Sequence, residues 1–357
     1  MFRPVLFYRR LGVAGPHAFL EWLVYVLLLP VSFLYAALMR LRAFLYRIGW
    51  LHVYRAPVPV ISVGNLSVGG TGKTPVVDYL IRCCLSRGRR VAVVSRGYGS
   101  ADGPALRVVS AGKGPVLDVR QAGDEPWLLA RRNPCACVVV APRRADGVRY
   151  AVDCLGADLV LLDDGFQHLA VARDFDLVLL DASRPFGNGR VLPAGILREP
   201  ISALKRGSLF LLTRASGPGA DPPLLPGPVL RCRHVMADHA IGPNGNSWSF
   251  AQLAKLRGLA FAGIAEPRNF FHGLEQRGLK LHQILCFSDH TKYDEQDLSR
   301  LVAASVQADY LITTEKDAVK LMAARLPLPC YVVTMDVEFF ETGELEKRLF
   351  AVIDAKG

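Results

Sequence analysis

Short apolar runs recur along the chain, separated by stretches in which apolar residues return every three or four positions. Residues 58–63, 90–95, 137–141, 159–162, 177–180 and 209–212 are of strand length and nearly free of charge, the pattern of strands buried on both faces. After the first run, Val76, Val77, Leu80, Ile81, Cys84 and Leu85 recur at helical spacing and stop at Gly88. Another helix follows Gly123-Asp124-Glu125-Pro126, whereas 100–120 has little periodicity and reads as a loop or hairpin. Strands alternating with helices predict an α/β fold with a mostly parallel sheet covered on both faces.

Residues 216–228 (SGPGADPPLLPGP) break this pattern with a Pro/Gly-rich stretch that reads as a linker. A second, smaller α/β unit is predicted beyond it: strands at 259–264, 281–287, 310–314 and 330–334, with helices from 267, over 295–306 and from 317. The expected organisation is therefore an N-terminal segment 1–48, a first unit 49–215, the linker, and a second unit 229–357.

The N-terminal segment carries no charge from Trp22 to Met39, and arginines flank it on both sides. Those residues, as a helix rising about 1.5 Å each, reach about 27 Å, just short of a hydrocarbon core. Pro30 lies within the run, so a kinked span and a shallow insertion both fit, beside a buried core helix and a signal peptide. Membrane association on the cytoplasmic side accounts best for the arginines, which suit anionic headgroups. Lys and Arg number 43 against 32 Asp and Glu, a formal charge of +11 that calls for an acidic partner. Without an RNA-recognition aromatic signature, zinc-finger spacing or a long basic run, nucleic acid is not expected as that partner. The eight cysteines form no C-x-x-C pair and read as buried thiols of a reducing compartment.

The chemistry starts where the 58–63 run meets GGTGKTP. Gly69, Gly70 and Gly72, with Thr71 among them, let backbone N–H groups converge on an anion. Lys73 supplies a charge for the phosphates, and the Thr74 hydroxyl is placed for Mg²⁺. Ser67 stands where the usual pattern has glycine. The 159–162 strand ends in Asp163 and Asp164, adjacent carboxylates that repel unless a cation lies between them. Asp124 and Glu125 fit either a helix N-terminus or a general base. Arg198 and Glu199 fit either a loop salt bridge or a phosphate and metal role. Asp289-His290 and Thr313-Thr314-Glu315-Lys316-Asp317 end strands of the second unit, and each fits either a cap or a group facing a cleft.

Taken in order, Gly64-Asn65 with GGTGKTP, SRGYG at 95–99, GDEP at 123–126, LDDGFQH at 162–168, PFGNGRVLPAGILREP at 185–200, SDHTKY at 288–293 and TTEKDAVK at 313–320 resemble one family, the tetraacyldisaccharide 4′-kinases. The resemblance implies a P-loop kinase domain joined to a smaller α/β domain. It implies ATP-dependent phosphorylation of the 4′-hydroxyl of an anionic glycolipid, tetraacyldisaccharide 1-phosphate, to give lipid IVA at the cytoplasmic face of the inner membrane. It places Asp124 as base with His290 as its partner, Lys73 on the phosphates, and Asp163, Asp164 and Glu199 around Mg²⁺. No obligate protein partner is inferred. The competing reading is a membrane-associated P-loop switch ATPase or GTPase; no NKxD base-recognition motif supports the GTPase form.

Overall fold

The computed structural model describes residues 10–97, 105–217, 219, 225–289, 291–322 and 324–356. Uncharged runs of Val, Leu and Ile escape water on both faces only inside a covered sheet, and that is where they lie. β1 (Val60–Asn65) stands between β5 (Leu159–Asp163) and β6 (Phe175–Asp181), all parallel. β2 (Val91–Ser95) and β4 (Cys137–Val140) continue the sheet beyond β5, and β3 (Arg107–Ala111) closes that edge antiparallel. β3 occupies part of the stretch without periodicity, because an edge strand buried over only part of its length need not be uniformly apolar.

On the β6 side lies β7 (Leu209–Thr213), followed by β8 (Val229–Ile241), whose first residues pair parallel with β7. The rest of β8 pairs antiparallel with β13 (Cys330–Phe339). One long strand is thus shared by two groups of strands. Beyond β13 come β12 (Tyr310–Thr314), β10 (Arg257–Ala262) and β11 (Lys280–Cys286), all parallel. β9 (Ser247–Ser249) pairs only with β8.

Helices cover both faces. Ile61, Val93, Leu161, Leu177 and Leu211 pack beneath α2 (Lys73–Ser86) and α3 (Asp124–Arg132). On the opposite face Val60, Val94 and Val160 meet Val148 and Ala151 of α4 (Arg144–Asp153). The second group carries α5 (Pro267–Gln276), α6 (Glu295–Ala304) and α7 (Glu315–Lys320). The last helix, α8 (Glu344–Lys356), returns to the first group, where Leu345, Leu349, Phe350 and Ile353 join the core under α2.

The N-terminal helix α1 (Phe19–Arg47) is 29 residues long and runs through Pro30. Its start is capped by Glu21, which accepts from the backbone N–H groups of His17 and Ala18 and pairs with Arg10. The run is not equivalent on all sides. Ser32 Oγ donates to Val191 O at 2.7 Å, Tyr35 Oη to Arg198 O at 3.0 Å and Arg42 Nη2 to Gln167 O at 3.1 Å, while Ala36 packs into the core with Leu66 and Phe166. That stripe fastens the helix to the first group, and its other faces stay bare: Phe19, Leu27 and Leu34 are 87%, 68% and 72% exposed. With a mean hydropathy of 2.1 over its 18-residue apolar window, α1 is long and apolar enough to cross a membrane by length and composition.

All eight cysteines are unpaired, but the expectation that they are buried holds for only part of the set. Cys84 and Cys232 are buried, whereas Cys135, Cys154 and Cys286 are exposed because they fall at loops and on an edge strand rather than inside the core.

Candidate active site

Parallel strands deliver their carboxyl ends to one edge, and ligands of such sheets gather there. β1 gives way at that edge to the glycine-rich loop. Gly69 and Gly72 adopt left-handed backbone (φ 118° and 74°), which side chains with a Cβ rarely take. A Cβ on Gly72 would also come within 2.1 Å of the His234 ring. Ser67 needs no such freedom: it is not among the left-handed positions and forms a bridge with Leu197. Its departure from the usual pattern is therefore without strain.

The loop is held by its carbonyl groups. Arg214 Nη2 donates to Gly70 O at 2.9 Å, Thr213 Oγ1 donates to Thr71 O at 2.9 Å, and His234 Nε2 lies 3.3 Å from Gly72 O. Since N–H and C=O point opposite ways across a peptide unit, carbonyls tied outward leave amides for an anion. Thr71 Oγ1, buried beside them, has no hydrogen-bond partner among the described residues. Lys73 and Thr74 open α2, and Lys73 Nζ donates to Asn65 Oδ1 and pairs with Asp164 Oδ1, both at 3.3 Å.

Register sets the carboxylates. Asp163 lies opposite Val63 of β1, so it emerges beside the start of the loop. Ser95, at the end of β2, donates to Asp163 Oδ2 at 3.0 Å. Burial, followed by the charges of Glu125 and Asp164, pushes the Asp163 carboxyl up to about 6 against the pull of Lys73. Asp164 is in left-handed backbone (φ 53°) and meets Arg198 Nη1 at 2.7 Å. Burial opposes its ionisation, but Lys73 and Arg198 outweigh burial and hold it well below the usual carboxylate range.

Asp124 and Glu125 stand at the start of α3, with Asp124 3.6 Å from Lys320 Nζ and Glu125 3.2 Å from Lys316 Nζ. A single cavity of about 1440 Å³ is lined by Gly69, Gly70, Thr71, Gly72, Lys73 and Thr74, by Asp163 and Asp164, and by Asp124 and Arg198. Asp289 lines it as well, whereas His290 lies outside the described residues, as do Tyr98 and Gly99. Glu199 is not brought to the cavity wall. It is buried, pairs with Arg206 at 2.8 Å, and its other oxygen has no hydrogen-bond partner among the described residues.

Arg144, Arg214 and His234 at this edge were not singled out from the chain, and Asn65, Ser95 and Lys320 entered only within the motifs that carry the resemblance, without a role. Arg144 is 3% exposed and lines the cavity, donating from Nη1 to Ala141 O while Nε and Nη2 find no hydrogen-bond partner among the described residues. Burial lowers its pKa to about 10. Its signal was its place just after the β4 run, at the ligand-binding edge of the sheet. Burial, and then the Arg144 charge, also hold the His168 imidazole down to about 4.

A glycine-rich loop between a central parallel strand and a helix, with acidic residues ending the neighbouring strand, defines a P-loop nucleotide-binding α/β protein. Within that class the chain belongs to the tetraacyldisaccharide-1-P 4′-kinase family, whose model matches residues 24–354. It is 63% identical over 353 residues to the tetraacyldisaccharide 4′-kinase of Syntrophotalea carbinolica, covering 99% of each chain. It is 45% identical over 332 residues to that of Geobacter sulfurreducens, covering 92% of this chain and 93% of the other. The crystal structure of LpxK from Aquifex aeolicus in complex with ATP superposes with a TM-score of 0.77 at 30% identity, covering 92% of this chain and 99% of that one.

Proposed function

We propose that this protein transfers the terminal phosphate of ATP to the 4′-hydroxyl of tetraacyldisaccharide 1-phosphate, giving lipid IVA. Family membership supports the reaction, and one observation carries the site: the phosphate loop, the paired carboxylates and Asp124 share one cavity with Tyr35, Met39 and Arg42 of α1. An apolar helix thereby reaches the place where phosphate chemistry is expected, as an acylated sugar substrate requires.

The loop amides and Lys73 hold the nucleotide phosphates, and Arg198 adds positive charge as negative charge spreads in a loose transition state. The donors present fit Mg²⁺, which binds through hard oxygen atoms and one or two carboxylates. Asp163, Asp164 and Thr74, which line the cavity, would hold it, and once bound it would supply charge neutralisation at the phosphates. Asp124 takes the proton from the sugar hydroxyl. That transfer comes late, because an alcohol is too weak an acid to be deprotonated first. His290 is assigned, on the family resemblance, to orienting Asp124.

Residues 49–215 form the nucleotide-handling unit in this reading, 229–357 the smaller unit closing over it, and 1–48 the membrane-associated segment. The bare apolar face of α1, with Arg40 and Arg47 at its end, suits the cytoplasmic face of the inner membrane, with its anionic headgroups. Purified protein given terminally labelled ATP, Mg²⁺ and tetraacyldisaccharide 1-phosphate in detergent is expected to yield labelled glycolipid. Release of labelled inorganic phosphate with no labelled lipid would instead support the switch ATPase.

A further inference from the structure

The candidate base is met from behind by the second group of strands. α7 follows β12 and lies along α3 with charges in complementary order. Glu315 Oε1 accepts from Arg132 Nε at 3.1 Å near the end of α3, Lys316 meets Glu125 at 3.2 Å, and Lys320 meets Asp124 at 3.6 Å near its start. Arg132 is itself shared with Asp78 of the phosphate-loop helix α2, at 2.9 Å. The helix that carries Asp124 is therefore pinned along its length by α7.

Lys320 differs from the other two residues of α7. Its side chain is 5% exposed and lies outside the cavity wall, with Nζ over the ring of Tyr293, 5.9 Å from the centroid. Its other carboxylate neighbour, Asp317, is fully buried: Oδ2 accepts from Gly263 N at 3.0 Å and Thr314 Oγ1 at 2.7 Å, and Lys320 Nζ faces Oδ1 at 3.5 Å. A buried ammonium is costly, and a pair of this kind is commonly no more stabilising than an apolar residue of the same size. A lysine at this position is better explained by what its charge does for Asp124.

We propose that Lys320 is a positioning residue for Asp124. It holds the carboxylate aimed at the cavity, and ties the base to the docking of α7. This inference rests on the assignment of Asp124 as the base. Replacing Lys320 with methionine keeps an unbranched side chain of similar length and removes the charge. Lys320→Met is expected to lower kcat about 10- to 100-fold, the scale of a misplaced catalytic group, with KM for ATP within about twofold of wild type. Lys320→Arg, which keeps the charge, restores part of the loss. In the Asp124→Asn background, Lys320→Met should add less than about twofold, because the residue it positions is gone.

A wild-type kcat for Lys320→Met overturns the proposal, and so does an equal further loss on Asp124→Asn, which would mark a general structural role. If Lys320→Met does not fold, Lys320→Arg decides through the same cycle, since it leaves Asp317 paired. A wild-type kcat for Asp124→Asn alone would instead remove the base assignment. That result is distinct from an inactive Asp124→Asn beside a fully active Lys320→Met.

Discussion

Asp163 and Asp164 are neighbours in the chain and are held in opposite directions. Asp163, buried and accepting from Ser95, is pushed up to about 6, while Asp164 is kept ionised by Lys73 and Arg198. Lys73 thus has a structural partner beside the phosphate role proposed for it. Lys73→Ala is expected to cut turnover about 1000-fold while the fold persists, which circular dichroism and a transfer assay on one preparation would establish; near-wild-type turnover would remove Lys73 from the mechanism. His168 gives a pH effect of definite sign. Its folded pKa, about 4, lies below its ordinary 6.5, so the unfolded chain binds a proton in that window that the folded protein refuses. The contribution is complete above pH 6.5 and is lost as pH falls toward 4. Melting temperature should therefore drop more steeply across that window in wild type than in His168→Asn, and parallel curves would show the imidazole to be better solvated than its burial implies.

At the level of elements, β1 and the turn after β5 approach too closely for any side chain at Gly64. A Cβ there would stand 2.6 Å from Phe166 Cβ and 2.7 Å from its backbone nitrogen. Backbone cannot swing aside as a flexible side chain would, so Gly64→Ala is expected to lose about 1–3 kcal/mol, read as a lower denaturant midpoint; an unchanged midpoint would mean the strands separate at little cost. The apolar runs of the first group were legible because both faces of those strands are covered, so nearly every residue had to be apolar. β8 was not, since it carries Arg231, Arg233, His234 and His239 and is only partly buried along its length. α8 is the reverse case: Leu345, Leu349, Phe350 and Ile353 recur at helical spacing, a pattern that is local and therefore legible in the chain. The phosphate loop and the strand-end carboxylates were legible because local spacing defines them. The α7–α3 pairing was not, because residues nearly 200 positions apart meet only through the sheet order.

For the whole molecule, one sheet joined through β8 and one apolar helix fastened by Ser32, Tyr35 and Arg42 bring an exposed apolar surface to the nucleotide edge. Changing Leu27 and Leu34 together to Asp, both on the bare face, should reduce co-sedimentation with anionic vesicles at least about tenfold without altering the melt; undiminished binding would place the membrane contact elsewhere. The proposed function has the cavity perform direct transfer with Asp124 taking the proton. The most direct test is single-turnover transfer from labelled ATP to tetraacyldisaccharide 1-phosphate by wild type and by Asp124→Asn, with ATP affinity measured on both. Unchanged ATP affinity with transfer at least about 100-fold slower in the variant is the expected result. Transfer at the wild-type rate would contradict it, and the proton acceptor would have to be sought elsewhere in the cavity.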